Sequence, residues 1–360
     1  MNENPGTLIG LSNVMTRASA RVAPGPDPDA VPGLRDRLRT RAMRALEGRE
    51  SFIHDAVIQG RRVRLFSNSH HLADFWRENW PGESDWKTLT GRPLPRETTL
   101  TVHAMTGVDG EPEASYYSAA KSEVYLFNSS YYGDLRACSM EALGRTLSGE
   151  GRLLHGGAVE SGGRMLLLLY PRELVHPTPP WGLLEAPGSR LLADGWLFRD
   201  TASRLHAIEK GLYLRTSFVE SYPDHAAKLL RSKFENVPDA APALADPKMP
   251  SLQGILDQAT RNDPRQLLRG LPPDRQKDLL LRLIVSADSR VMVDPAALVG
   301  KSRVTRGPAA PAAVFDLKAG RGAESVRPAK LEGFACPCFE VFTGSVAGHP
   351  RELARLIAAR

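Results

Sequence analysis

Cysteine and long apolar runs are both scarce in this chain of 360 residues. The three cysteines, Cys138, Cys336 and Cys338, are too few for a disulfide framework, so we expect reduced thiols. The longest uncharged apolar run, Met165–Tyr170, is far shorter than the roughly 20 residues that a membrane-spanning helix needs. Met1–Gly10 lacks the basic segment and the apolar segment of a secretory signal. These absences predict a cytoplasmic protein that does not cross a membrane.

A strong excess of one charge is missing as well. Lys and Arg together number 47 against 41 acidic residues, which gives a formal net charge of only +6. No five consecutive residues are basic, and no aromatic-and-basic RNA-binding signature is present. We therefore do not expect nucleic acid as a partner. A hydrophobic content of 42% is typical of a folded protein with a sizeable core.

Shifts in composition divide the chain into four predicted parts. Residues 1–50 are predicted to form a flexible tail with a short basic helix over Leu34–Leu46, and residues 51–150 to form an α+β domain. Residues 151–330 read as an α/β core that includes a helical insertion over 250–290, and residues 331–360 as a C-terminal segment. We find no repeat of fixed period.

Strands and helices can be predicted in the first of the two larger parts. Strands are expected at Phe52–Ile58, Arg61–Ser67, Thr98–Ala104 and Glu123–Phe127, and helices at His71–Trp80 and Asp134–Leu147.

The centre of the chain has the clearest pattern. A strand over Leu153–Glu160 is followed by an apolar strand over Met165–Leu169, of the kind that is buried on both faces of a sheet. A loop, a helix near Trp181–Glu185 and a strand at Trp196–Phe198 come next. This succession predicts a βαβ unit, and the loop after its first strand is where phosphates bind when such units hold nucleotides.

Several central motifs resemble those of the HPr kinase and ATP-dependent phosphoenolpyruvate carboxykinase-like superfamily. They are His155-Gly156-Gly157-Ala158-Val159, Gly163, and Leu191-Leu192-Ala193-Asp194-Gly195-Trp196. Flanking segments support the likeness: Tyr116-Tyr117-Ser118, Phe127-Asn128, Tyr213-Leu214-Arg215-Thr216, Phe234-Glu235-Asn236-Val237 and Ser289–Pro295. The resemblance covers residues 52–320 and implies an α/β fold with a P-loop core, an N-terminal α+β layer and a helical insertion. It also implies a homo-oligomer.

Active members of this superfamily carry a G-x-x-x-x-G-K-[ST] loop after the apolar strand, and the spacing places that loop on residues 171–178. Pro171 and His176 stand at the two glycine positions, Pro177 stands at the lysine position, and only the hydroxyl survives, as Thr178. Proline offers no N–H group, and a side chain disfavours the positive φ that glycine supplies. Ordinary ATP binding is therefore not expected.

A second nucleotide element is incomplete. Active relatives carry two adjacent aspartates that hold metal and activate the acceptor, whereas this chain has Asp194-Gly195. Mg²⁺ requires nearly octahedral oxygen coordination, so half of the carboxylate pair is a poor site. We expect no cofactor, with ATP and Mg²⁺ as the alternative.

The resemblance nevertheless leaves a set of candidate site residues. The catalytic candidates are His155 and Asp194, and the candidates for cofactor or anion binding are His176, Thr178, Arg215, Glu235 and Arg290. The competing interpretation is that these residues only satisfy buried hydrogen bonds that the fold leaves. The pair Cys336 and Cys338 has no further ligands at zinc spacing, so no metal site is predicted there.

These observations favour a degenerate, pseudokinase-like protein that binds a small anionic ligand or a partner protein or peptide, as an accessory factor in a biosynthetic gene cluster. One alternative is an active phosphotransferase with an altered loop, in which Lys301 or Arg290 replaces the lost lysine. The other is an enzyme that uses the old phosphate pocket for different chemistry, with His155, His176 and Asp194 as acid and base.

Overall fold

A computed structural model describes residues 22–129, 132–170, 179–215, 290–293, 295–305, 307–318, 325–343 and 350–360. The chain has an α/β fold with mixed sheets, as the sequence predicted at this level. It divides into two compact units, the first comprising Met1–Gly149 with Pro247–Gln276 and the second Glu150–Asp246 with Lys277–Arg360. The described residues include no helix that is long and apolar enough to span a membrane.

The elements of the first unit, in chain order, are β1 (Ala23–Pro24), α1 (Leu34–Leu46), β2 (Phe52–Ile58), β3 (Arg61–Ser67), α2 (His70–Asn79), α3 (Glu83–Thr90), β4 (Thr98–Met105), β5 (Ala114–Ser118), β6 (Glu123–Phe127) and α4 (Tyr132–Thr146). The six strands form one sheet in the order β1-β5-β6-β4-β3-β2. β3, β4 and β6 run parallel at its centre, β2 pairs antiparallel with β3, and β5 pairs antiparallel with β6 and parallel with β1.

Helix α1 packs against the first sheet through its apolar side. Leu38 and Ala42 are buried in a cluster with Met105, Tyr125 and Phe127. The helix is also tied to the sheet by polar contacts, because Asn68 donates from Nδ2 to the Ala45 carbonyl oxygen at 3.4 Å. The helix predicted over Leu34–Leu46 is confirmed at both ends.

The second unit contains β7 (Gly151–Ser161), β8 (Arg164–Leu169), α5 (Pro179–Leu184), β9 (Arg190–Asp200), β10 (Leu205–Ala207), β11 (Leu212–Arg215), β12 (Arg290–Val293), α6 (Pro295–Val299), a 3₁₀ turn (Lys301–Arg303), β13 (Ala313–Lys318), β14 (Ser325–Ala329), β15 (Cys338–Phe342) and α7 (Pro350–Ala358). Seven strands form a sheet in the order β10-β9-β7-β8-β13-β15-β14, and β11 pairs with β12 in a separate ribbon.

Parallel pairing is confined to the centre of the second sheet. β8, β13 and β15 are parallel neighbours, while β7 is antiparallel to both β8 and β9. β8 and β9 therefore run in the same direction, as expected of a βαβ unit, but β7 lies between them. The strand β8 is buried over Met165–Leu168, in agreement with its uninterrupted apolar sequence.

Three regions differ from the predictions or lie outside the described residues. The predicted strand at Trp196–Phe198 is part of one longer strand, β9, which begins at Arg190 and runs through Asp194 and Gly195. Residues 331–360, predicted only as a C-terminal segment, supply β15 to the interior of the second sheet and α7 to the same unit. The helical insertion predicted over 250–290 lies outside the described residues, apart from Arg290.

Candidate functional site

The candidate site lies at the carboxyl end of β8, on the face of the second sheet that α5 covers. His155 on β7 is the register partner of Trp196 on β9, and its carbonyl oxygen accepts a hydrogen bond of 3.0 Å from the Tyr170 N–H. Tyr170 is the first residue after β8. The strand order thus brings together residues from three strands that are well separated in sequence.

The Asp194 carboxylate has a hydrogen-bond donor at each oxygen. The Tyr170 hydroxyl donates to Oδ1 at 2.6 Å, and the Trp181 indole Nε1–H donates to Oδ2 at 3.1 Å. Tyr170 and Trp181 are buried, at 6% and 0% exposure. Hydrogen bonds to an ionised acceptor are stronger than bonds between neutral groups, so this arrangement holds both aromatic side chains firmly. Asp194 therefore connects β9 to the end of β8 and to α5.

The absence of a side chain at Gly157 leaves room for the contact between Tyr170 and Asp194. A Cβ atom at this position would lie 2.3 Å from the Tyr170 hydroxyl oxygen and 2.6 Å from the Pro180 Cγ. Both distances are far below van der Waals contact, so any larger residue would displace the tyrosine or α5. A glycine in the middle of a strand costs conformational freedom, and the close approach of Tyr170 and Pro180 accounts for its presence here.

Gly195, which follows Asp194 on β9, has a backbone that disfavours a side chain. Its φ is +148°, a value that residues with a Cβ rarely adopt. It is the register partner of Gly156, so the two strands meet here through two glycines. The next residue, Trp196, donates its N–H to the Glu209 carboxylate at 3.1 Å. A second carboxylate at this position would require a different local backbone.

His155 lies between aromatic rings and is only partly buried. The centroid of its imidazole is 5.7 Å from that of the Tyr170 ring, which it meets edge to face, and 5.3 Å from the nearest ring of Trp196. Tyr170 thus contacts both catalytic candidates, one through its ring and the other through its hydroxyl. The structure therefore brings His155 and Asp194 to one place, with Tyr170 between them.

Arg303 holds α5 in position from its carboxyl end. The guanidinium donates from Nε to the Ser189 carbonyl oxygen at 3.0 Å, and from Nη2 to the carbonyl oxygens of Leu184 and Ala186. These oxygens belong to the last turn of α5 and the segment after it, where carbonyl groups lack helical partners. Because α5 carries Trp181, Arg303 indirectly supports the Asp194 contact.

Of the remaining candidates, Arg215 and Arg290 lie within the described residues. Arg215 and Arg290 are register partners at the ends of β11 and β12, so the ribbon brings two residues 75 positions apart to adjacent backbone positions. The candidates His176, Thr178 and Glu235, and the whole loop 171–178, lie outside the described residues.

Lys301, which the sequence suggests as an alternative phosphate-contacting lysine, lies in the 3₁₀ turn that follows α6. The 3₁₀ turn that contains it leads directly to Val304, which forms a β-bridge with Leu191 near the start of β9. Since β8 and β9 run parallel, the start of β9 corresponds to the start of β8 and not to its carboxyl end. The replacement of the loop lysine by Lys301 stays a prediction.

Sequence reasoning missed Tyr170, Trp181 and Arg303. A tyrosine directly after an apolar strand and a tryptophan in the next helix were visible signals, but neither residue type points to a particular carboxylate. Within the described part of the chain, no three His, Cys, Asp or Glu residues are grouped as a metal site would require. Cys138, Cys336 and Cys338 are free thiols, as predicted.

Comparisons with known proteins give no family for this chain. No protein-family model matches the sequence, and a search of curated proteins finds no similar one.

Proposed function

We propose that this chain is a binding or accessory protein with an HPr kinase-like P-loop core, and that it no longer performs ATP-dependent phosphoryl transfer. The observation that carries this proposal is the pair of hydrogen bonds that Asp194 accepts from Tyr170 and Trp181. A carboxylate has about four acceptor sites on its two oxygens, and the Tyr170 and Trp181 donors occupy one site on each oxygen. These two bonds support a structural role for Asp194, which holds a tyrosine and a helix in place.

Two further observations support the loss of nucleotide chemistry. The φ of +148° at Gly195 disfavours a second carboxylate, so the metal-binding pair cannot be restored by a single substitution without strain. The sequence of loop 171–178 has lost both glycines and the lysine that would contact phosphates. The two losses concern separate parts of the chain, and both remove contacts to the same ligand.

The ligand that we propose is a small anion with phosphate or carboxylate groups. Arg215 and Arg290 are register partners on the β11–β12 ribbon, so two arginines share neighbouring backbone positions. Arginine binds phosphate and carboxylate groups with two parallel hydrogen bonds, which suits such a ligand. In this proposal, the arginine pair is the retained part of the old anion site.

A thermal-shift screen tests this proposal. Phosphate, phosphorylated metabolites and nucleotides with Mg²⁺ would be compared, because a ligand that binds only the folded protein raises its melting temperature. We expect at least one phosphorylated compound to raise the melting temperature, and ATP with Mg²⁺ to have no larger effect than inorganic phosphate at the same concentration. The variant Arg215→Gln/Arg290→Gln should lose the response, whereas Arg152→Gln/Arg164→Gln, which removes two exposed charges elsewhere in the unit, should keep it.

The alternative of an active phosphotransferase predicts a different result in the same screen. It requires that ATP with Mg²⁺ strongly raises the melting temperature and that Asp194→Asn loses this effect. It also requires transfer of the γ-phosphoryl group to an acceptor. A repurposed enzyme would instead turn over a substrate without binding nucleotide.

A further inference from the structure

The four edge strands of the two larger sheets differ in how well they are protected. A sheet edge exposes unpaired backbone N–H and C=O groups, which attract a further strand unless the edge is short, contains proline or is covered. β1 has two residues, one of them Pro24, and β14 contains Pro328. β10 has three residues, and its Leu205 already forms a bridge with Ala309. β2, with seven residues and no proline, is therefore the least protected of the four edges.

The outer side of β2 is closed at one end only. Val57 donates its N–H to the Pro81 carbonyl oxygen at 2.8 Å, in the segment that joins α2 to α3. Backbone groups of an antiparallel strand alternate between its two sides, so the N–H and C=O groups of Ile53 and Asp55 face the same outer side as the Val57 N–H. No backbone group in the described part of the chain bonds to them there. The first half of β2 thus presents an open row of hydrogen-bonding groups.

The side chains of this open half do not oppose the approach of another strand. Ile53 is 55% exposed, more than the other exposed large hydrophobic side chains of the described structure, Val31 and Met43. Charged side chains at an edge normally discourage pairing. The one acidic group of β2, Asp55, is compensated by ion pairs with two arginines of β3, Arg62 and Arg64.

We propose that β2 pairs antiparallel with β2 of a second copy of this chain, about a two-fold axis that passes beside Ile53. In this register Ile53 faces the same isoleucine of the second copy, which forms an apolar pair. Ser51 faces Asp55, a hydroxyl donor opposite a carboxylate, and Phe52 faces His54. A two-fold interface is self-complementary, so each of the unlike contacts occurs twice. Addition of a strand at an open edge supplies main-chain hydrogen bonds, and the facing side chains supply the register.

Other registers of the same pairing fit less well. An axis beside Asp55 would place two carboxylates opposite each other, and like charges at facing positions destabilise a strand pair. It would also place Ile53 opposite Val57, whose N–H is already bonded to Pro81. An axis beside His54 would place Ile53 opposite Asp55. The edge is therefore most complementary to itself with Ile53 at the centre, and this conclusion does not depend on the function proposed above.

Sedimentation velocity of the full chain over a range of protein concentrations tests the proposal. We expect a dimer whose fraction rises with concentration. Ile53→Lys removes the apolar pair and places two ammonium groups opposite each other, so it should weaken the dimer on the order of tenfold or more. The control Met43→Lys makes the same kind of change at an exposed position of α1 and should sediment like the unmodified protein.

Cross-linking tests the register. Facing residues of a hydrogen-bonded antiparallel pair have Cα atoms about 5.5 Å apart, a distance that a disulfide spans. Ile53→Cys should therefore form a disulfide-linked dimer when copper–phenanthroline and oxygen supply the oxidant. Ser51→Cys should not, because the two copies of residue 51 would lie about 14 Å apart along the paired strands. The unmodified protein, with its three natural cysteines, is the blank.

Three results would overturn the proposal. A chain that sediments as a monomer at every concentration does not pair with itself, and its open edge would then be left to a strand of a different protein. Equal weakening of the dimer by the two lysine variants would place the interface elsewhere or make it a general charge effect. Equal cross-linking of the two cysteine variants would exclude the register. Circular dichroism of all variants checks that each retains its fold.

Discussion

Replacing His103 by phenylalanine should make the first unit less sensitive to acid. His103 lies on β4 with only 4% of its surface exposed, and its ring stacks between Phe66 and Tyr125, with centroid distances of 5.3 and 4.9 Å. Its Nδ1 atom has no hydrogen-bond partner among the described residues. A phenyl ring would continue the aromatic row and would remove this unpaired polar atom.

The acid sensitivity follows from the pKa of this imidazole. Burial, with a smaller contribution from the charge of Arg39, lowers the pKa of His103 from 6.5 to about 4. The histidine stays neutral in the folded protein while the unfolded chain takes up a proton, so stability is full above pH 6.5 and falls as the pH drops toward 4. The pKa difference corresponds to about 3 kcal/mol, since one pKa unit is about 1.4 kcal/mol.

Urea unfolding at pH 7.5, 6.0 and 4.5 measures this contribution. We expect the unmodified protein to lose most of those 3 kcal/mol relative to His103→Phe by pH 4.5. Carboxylates that also lose stabilising contacts in acid, such as Asp55, are common to both proteins and cancel in the comparison. His70→Gln, which changes an exposed histidine, serves as the control and should follow the unmodified protein. If the free energies of unfolding of unmodified protein and His103→Phe run parallel from pH 7.5 to 4.5, the reasoning is refuted.

Three other predictions concern the Asp194 contact. Gly157→Ala should lower the free energy of unfolding by about 2 kcal/mol, because its Cβ would overlap the Tyr170 hydroxyl. The control Gly307→Ala has open space around it and should change the free energy of unfolding little. Similar losses for the two variants in denaturant titrations would contradict this account. Tyr170→Phe removes a hydrogen bond to a carboxyl group and should cost about 2 kcal/mol. In an Asp194→Ala background, which has no acceptor for the tyrosine, it should cost nothing further if the two groups act as one unit, as a double-mutant cycle would show. Arg303→Met should destabilise by about 1–3 kcal/mol by leaving carbonyl groups at the end of α5 unpaired, with a matching rise in hydrogen exchange at α5; an unchanged exchange rate would disprove the supporting role.

Local patterns predicted most of the individual elements. The strands β2, β3 and β6 begin and end where the apolar residues and turn residues predicted, because side-chain spacing and turn chemistry are local properties. The helix over Asp134–Leu147 was predicted with its boundaries shifted by one or two residues, which is expected at helix ends.

The assembly of these elements was less predictable. The hydrogen bond from Tyr170 to Asp194 joins residues 24 positions apart, and it depends on β7 lying between β8 and β9. Strand order is set by the packing of the whole sheet, so no short stretch of sequence indicates it. The Arg303 contact with Leu184 spans 119 positions, so no local pattern could indicate it.

Calorimetric titration of MgATP tests the central claim most directly. The unmodified protein would be compared with Pro171→Gly/His176→Gly/Pro177→Lys, which restores the glycines and the lysine of a phosphate loop and leaves Gly195 unchanged. We expect no binding heat for the unmodified protein at millimolar nucleotide. For the rebuilt loop we expect measurable affinity, with a dissociation constant no tighter than about micromolar, or about −8 kcal/mol. Binding of MgATP by the unmodified protein as tight as that of the rebuilt protein would contradict the claim that this chain has lost its nucleotide site.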